Sequence, residues 1–323
     1  MKVVSVGARG GDGPDRAGAR RIPRRRLFRA LLALGTVAAA ARPTTVRGYL
    51  IGCYTRPWDQ FELETALDGI AEAGYAYAGL MTARGRSPAI VTPETSEDEA
   101  ARVGEKVRNR GLKVCSVYGD FAVGASPREG EDRLRRLIDN CAASGSQELL
   151  LGGTADAGEH DRYFEVVAKL CDYAVTKRVG LTIKPHGGLI ATGAQCREVI
   201  EKVRHPVFRL WYDPGNIFYY SDGRRDPLQD VVEVDGLVVG MSVKDFRPPK
   251  DVFVTPGTGR VNFPVLIARL RLGGFTRGQL VVECTARGDA RQVTEEARKA
   301  RLFVERLARE RGMDTLRPTE GTP

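Results

Sequence analysis

Eight times after residue 46, a short and nearly continuous apolar run is followed by a longer amphipathic one, and no other feature of this chain restricts its fold as strongly. The apolar runs are Gly48–Tyr54, Tyr75–Met81, Leu112–Tyr118, Gln147–Leu151, Leu181–His186, Phe208–Asp213, Gly236–Val243 and Gln279–Cys284. Between and after them, helical spacing of apolar residues covers Phe61–Ala73, Ser96–Arg110, Glu129–Ala143, His160–Arg178, Gly193–Val203, Pro227–Val234, Asn262–Leu272 and Ala290–Arg311. Several of these stretches stop at a glycine, as at Gly74, Gly111 and Gly180. One opens on Ser96 followed by three acidic residues, a capped helix start. Strands that read as unbroken apolar runs are covered on both faces. Alternation with helices makes them parallel βαβ units. Eight such units predict an α/β fold closed into a (β/α)8 TIM barrel rather than an open doubly wound sheet. The barrel is expected over residues 46–312 as one domain, with 313–323 as a loose tail.

The formal net charge of +9 would suggest nucleic acid if it were spread over the chain. It is not. Residues 1–42 hold ten Lys/Arg against two Asp/Glu, and the remainder is nearly balanced at 40 against 39. The basic excess belongs to a leader, so no nucleic-acid partner is expected. In that leader Arg24-Arg25-Arg26 precede Leu27-Phe28, and an uncharged Leu/Ala-rich run follows from Ala30 to Ala41. Arg-Arg-x-Phe before a modest apolar run resembles a twin-arginine export signal. It predicts an exported protein, periplasmic or secreted. The run is too short to span a membrane, which takes ~20 residues.

Active sites of this fold are built where strands end. The fifth apolar run ends in Lys184-Pro185-His186-Gly187-Gly188, and the sixth in Trp211-Tyr212-Asp213-Pro214-Gly215-Asn216. The seventh ends in Ser242-Val243-Lys244-Asp245 and the eighth in Glu283-Cys284-Thr285. Four consecutive strands therefore deliver titratable side chains to one rim. His186 precedes two glycines, where backbone can approach a ligand closely. His160 and His205 read as ordinary surface histidines.

These strand ends resemble those of the sugar isomerase/epimerase family of xylose isomerase-like barrels, across essentially the whole chain after the leader. The matching segments are Asp213-Pro214-Gly215-Asn216, Val243-Lys244-Asp245 and Val281-Val282-Glu283. The resemblance implies a divalent cation (Mn, Mg or Zn) held by a Glu, an Asp, a His and a Glu from strands five to eight. It also implies proton transfer beside a carbonyl of a sugar or keto-sugar. Two positions depart from the pattern. Lys184 stands where the first Glu is expected and Ser242 where the His is expected. Asn216 stands where a substrate-binding His is common in the family.

Two readings follow. In one the site is metal-free, and the Lys184 ammonium fills part of the metal's electrostatic role between Asp213 and Glu283. In the other, His186, Asp213 and Glu283 form a three-ligand metal site. In either, Glu283 is expected as the base and His186 or Lys184 as the acid or oxyanion stabiliser. Asp213, Asn216, Lys244 and Arg247 are expected to hold substrate hydroxyls. A structural ion pair is the plain alternative for Lys184. A keto-sugar dehydratase or lyase would share the first chemical step, and a non-catalytic carbohydrate-binding protein would retain the pocket without the chemistry. The expected partner is a small, unphosphorylated carbohydrate, and a homo-oligomer is compatible with the sequence. Trp58, Tyr118, Trp211, Phe218, Tyr219 and Tyr220 supply aromatic surface for a sugar, some of them as core instead. The Gly-rich segment Thr255–Arg260 is a weak phosphate-loop signal. The six cysteines form no metal-binding spacing and read as buried apolar residues. Cys53 and Cys284, on the first and last strands, are the one pair weighed for a disulfide.

Overall fold

The computed structural model describes residues 48–85 and 89–316. The leader expected over 1–42 lies outside these residues. The strands are β1 (Tyr49–Tyr54), β2 (Tyr77–Leu80), β3 (Lys113–Gly119), β4 (Glu148–Leu151), β5 (Gly180–Ile183), β6 (Phe208–Tyr212), β7 (Val238–Val243) and β8 (Gly278–Val282). All neighbours are parallel, and β8 returns to β1 through the register Gly52↔Val281, closing the barrel. Outside it run α1 (Leu63–Glu72), α2 (Glu97–Arg108), α3 (Pro127–Ala143), α4 (His160–Thr176), α5 (Gly193–Val203), α6 (Pro214–Tyr220), α7 (Pro227–Asp230), α8 (Phe263–Leu272) and α9 (Ala290–Glu310).

Each expected strand and helix forms, with ends displaced by a few residues. The helix starts follow from capping. The Ser96 hydroxyl accepts the Glu99 N–H, and Thr192 with Gln195 closes a reciprocal cap on α5. The one added α-helix is α6, which Asp213 caps by accepting the Asn216 N–H, with Pro214 at its first position. Pro-Gly-Asn reads as a turn in the sequence, yet here it begins a helix. Pro227–Val234 forms as α7 followed by a turn of 3-10 helix over Val231–Val234.

One apolar core lies between strands and helices; a second fills the barrel interior with Leu50, Tyr54, Met81, Cys115, Leu150, Trp211 and Val281. Each such aliphatic side chain contributes ~1.5–3 kcal/mol on burial. The two large rings need space on neighbouring strands. A Cβ at Gly79 would lie 2.3 Å from the Tyr54 ring, and one at Gly240 would lie 2.3 Å from Trp211. Residues expected in a loose tail are tied to the barrel instead: Tyr49 N–H donates to Asp314 and Leu316 N–H donates to Tyr49. All six cysteines are buried and free, so the Cys53–Cys284 bridge is not formed. No helix among the described residues is long and apolar enough to cross a membrane.

Candidate active site

Lys184, Asp213, Lys244 and Glu283 each follow the last residue of β5, β6, β7 and β8, so all four emerge on one rim. All four are buried, as is Ser242 near the end of β7. A buried charge is tolerated only when paired and hydrogen-bonded, and these pair with one another. Lys184 Nζ lies 2.8 Å from Glu283 Oε2 and 3.3 Å from Asp213 Oδ2. Lys244 Nζ lies 2.7 Å from Glu283 Oε1, 3.2 Å from Asp213 Oδ2 and 2.8 Å from Asn216 Oδ1. Ser242 donates to Glu283 Oε2 at 2.5 Å, and Arg56 Nη1 donates to Glu283 Oε1 at 3.2 Å.

The local sequence explains this arrangement. In Asp213-Pro214-Gly215-Asn216, Asp213 spends one oxygen on the helix cap and points the other at both ammoniums. Gly215 leaves room for the Lys244 stem, since a Cβ there would lie 2.7 Å from its Cγ. The Asn216 amide donates to the Pro185 carbonyl at 2.7 Å and fixes the acceptor that Lys244 uses. Gly187, with φ of 88°, turns the chain beside Tyr220, where a Cβ would strike the ring at 2.7 Å.

The electrostatics follow from these contacts. Burial alone would raise the Glu283 carboxyl, but Lys184, Lys244 and Arg56 overrule it and hold it well below the usual range. Burial works against the charge of Lys184, yet Glu283 and Asp213 outweigh it and raise its pKa. His186 is pushed down to about 3, by burial first and then by Lys184 and Lys244, so the imidazole is neutral.

Two cavities open above this floor. The narrower, about 220 Å3, is lined by His186, Asn216, Tyr219, Tyr220, Lys244 and the loop after β7. The wider, about 490 Å3, is lined by Gln60, Met81, Thr82, Tyr118 and Arg287. That is the usual size of a small-molecule site. Arg56 borders both. The His186 ring stands between Tyr118 and Tyr220, with ring centroids 6.2 and 5.7 Å away.

The rim therefore brings together Lys184, His186, Asp213, Asn216, Lys244 and Glu283. It does not bring in Arg247, whose exposed side chain lies 3.9 Å from Asp251. The cation that comes near instead is Arg56, from the loop after β1, which the sequence did not signal. Of the six aromatics, Trp58, Trp211 and Phe218 are core, while Tyr118, Tyr219 and Tyr220 line the cavities. The Gly-rich segment is closed on a carboxylate: Asp245 accepts the N–H groups of Gly257, Gly259 and Val261 at 2.8–3.0 Å. Arg260 is committed to the Gly223 carbonyl. These donors are not free to cradle phosphate.

The three-ligand metal reading does not fit this donor set. All four oxygens of Asp213 and Glu283 already accept hydrogen bonds, and two ammoniums stand between the carboxylates. No group of three His, Cys, Asp or Glu among the described residues is placed to hold a metal ion.

Residues 67–307 match the family described as the xylose isomerase-like TIM barrel. Among solved structures, D-allulose 3-epimerase from Methylomonas sp. in complex with D-allulose superposes with a TM-score of 0.64 at 17% identity, over 81% of this chain and 98% of that one. D-psicose 3-epimerase from Clostridium cellulolyticum H10 with D-tagatose gives 0.63 at 14% identity, over 80% and 99%. A xylose isomerase domain protein from Planctomyces limnophilus gives 0.62 at 17%, over 81% and 98%. At these identities the likeness is one of fold. A sequence search of curated proteins gives no match.

Proposed function

The chain belongs to the xylose isomerase-like TIM barrel family, and from that premise we propose that it moves a proton beside a carbonyl of a carbohydrate without a metal, as an isomerase or epimerase of a sugar or keto-sugar. The observation that carries this reading is the ammonium–carboxylate lattice beneath an open cavity that contains a neutral imidazole.

Removing a proton next to a carbonyl places negative charge on the carbonyl oxygen. Fixed cations at that point lower the barrier without reorganising. Lys244 and Arg56 face the cavities and serve as those cations. Lys184 is fully buried and acts from below, by holding Glu283 and Asp213 in place. Glu283, expected as the base, receives a different task here. A carboxylate in four hydrogen bonds, with its pKa strongly depressed, is a poor proton acceptor, so it positions Lys244 and Arg56. The proton carrier is His186, which is neutral and borders the cavity. The growing oxyanion offsets the repulsion from Lys184 and Lys244 that weakens the imidazole. Return of the proton by His186 to the neighbouring carbon gives an isomer; an epimer needs the proton returned to the same carbon from the other face, by a second carrier or by water from the cavity.

A second reading, a carbohydrate-binding protein without chemistry, is favoured by the saturation of every Asp213 and Glu283 oxygen. Incubation with ketoses, aldoses and sugar acids in D2O separates the two. Deuterium entering beside the carbonyl, undiminished by EDTA and lost in His186→Asn, supports the enzyme. Binding without exchange on any of these sugars leaves the receptor. The leader further leads us to propose export by a twin-arginine route, which cell fractionation of the full chain would test.

A further inference from the structure

We infer that the natural substrate carries a carboxylate, as a uronic or other sugar acid does, and that Arg56 grips it where the two cavities meet. The inference rests on the reading of the site as a carbohydrate site and adds the class of sugar.

The argument begins with charge. The floor holds three cations, Lys184, Lys244 and Arg56, against two carboxylates, Asp213 and Glu283. One positive charge is left over. His186 does not change the count because it is neutral. The remaining charged groups along the walls are already paired. Arg287 holds Asp59 through two contacts of 3.1 and 3.2 Å, Lys250 holds Asp222 at 2.8 Å, and Asp251 faces Arg247. Asp120, behind Tyr118, accepts from Tyr163 at 2.6 Å rather than from any of the three cations.

The surplus can be traced to one residue. Lys244 spends all three N–H bonds on Asp213, Asn216 and Glu283. Arg56 has five, and its single hydrogen bond among the described residues is the one to Glu283. Its side chain is 28% exposed and borders both cavities. A neutral sugar in these cavities would strip water from an unmatched guanidinium, which is costly. A carboxylate would meet it with two parallel hydrogen bonds and cancel the surplus charge. Thr82, which lines the wider cavity, has a buried hydroxyl without a hydrogen-bond partner among the described residues.

Titration calorimetry at pH 7.5 tests this with matched probes, D-glucuronate against D-glucose and D-galacturonate against D-galactose. The uronates are expected to bind at least about tenfold more tightly than their neutral partners. Arg56→Gln should abolish that preference, lowering uronate affinity far more than neutral-sugar affinity, and Arg56→Lys should reduce it several-fold because the fork is lost while the charge stays. Arg287→Gln, at the paired cation, should preserve it. Because Arg56 also contacts Glu283, melting curves of each variant accompany the titrations, and Arg56→Lys decides the matter if Arg56→Gln does not fold. Uronates that bind no better than neutral sugars, a preference that survives at Arg56→Lys undiminished, or no uronate binding at millimolar concentration would overturn the inference. Uronate binding through Arg56 with no deuterium exchange would instead remove the proposed chemistry and leave the inference standing; exchange on neutral sugars alone would do the reverse.

Discussion

Asp120, half-buried just past the end of β3, and Glu283, fully buried just past the end of β8, are carboxyl groups on the same rim, yet their proton affinities move in opposite directions. Glu283 is held well below the ordinary range and Asp120 is pushed up to about 7. Burial raises both. The difference lies in the partners: Glu283 has two ammoniums and a guanidinium, whereas Asp120 has the Tyr163 hydroxyl and backbone N–H groups. The late half of the rim is an ion lattice, and the early half is aromatic and hydroxylic apart from Arg56. The charge state of a buried group in this barrel is thus decided by its neighbours in the ring of strands.

The sharpest way to break that comparison is to remove the anion from the lattice. Glu283→Gln leaves Lys184, Lys244 and Arg56 with Asp213 alone, and is expected to cost about 3–5 kcal/mol in urea unfolding at pH 7. A cost below about 1 kcal/mol would show that the lattice does not hold the rim. Next, His186→Asn should lower deuterium exchange about 10²–10⁴-fold while the melting temperature changes little; a variant that exchanges normally would return the proton to some other group.

The third test sets the two carboxyls against each other by pH. The folded protein keeps a proton on Asp120 that the unfolded chain releases above its ordinary 3.8, so this group's contribution falls as pH rises from about 4 to about 7. Glu283 behaves oppositely. Its contribution is present above the ordinary carboxylate range and is lost as pH falls through its depressed folded value. Asp120→Asn should therefore gain about 1–2 kcal/mol over the parent at pH 8 and little or nothing at pH 4. Equal effects at both values would contradict the raised pKa. The smallest effect belongs to Arg247→Ala. It should shift stability by less than about 0.5 kcal/mol and leave sugar binding unchanged, because an exposed pair at 3.9 Å contributes little. A clear loss of binding would put Arg247 back at the site.

The barrel was legible because its periodicities are repeated eight times, so an error at one strand end does not alter the topology. The late rim was legible for a similar reason: Lys184, Asp213, Lys244 and Glu283 each follow an apolar run directly, and the fold sends such positions to one mouth. Arg56 was not, since a single arginine before Pro57-Trp58 has no local mark, and its partner Glu283 is 227 residues away. Arg247 misled for a geometric reason. Beyond β7 the side chains alternate, Lys244 entering the lattice and Asp245 turning into the loop, and by Arg247 the chain has left the rim. The task of Glu283 was hidden too, because a strand-end glutamate reads the same whether it is free or held by three cations.

Ser242 carries one further consequence. Its hydroxyl accepts the Trp211 indole N–H at 3.0 Å while donating to Glu283, and Trp211 in turn occupies the space that Gly240 leaves open. A histidine at 242 would take away the indole's acceptor and force a ring into a fully buried place now filled by a hydroxymethyl group. Trp211 and Ser242 therefore act as one unit beneath the site: a change at either leaves the indole N–H or the Glu283 carboxylate without its present partner.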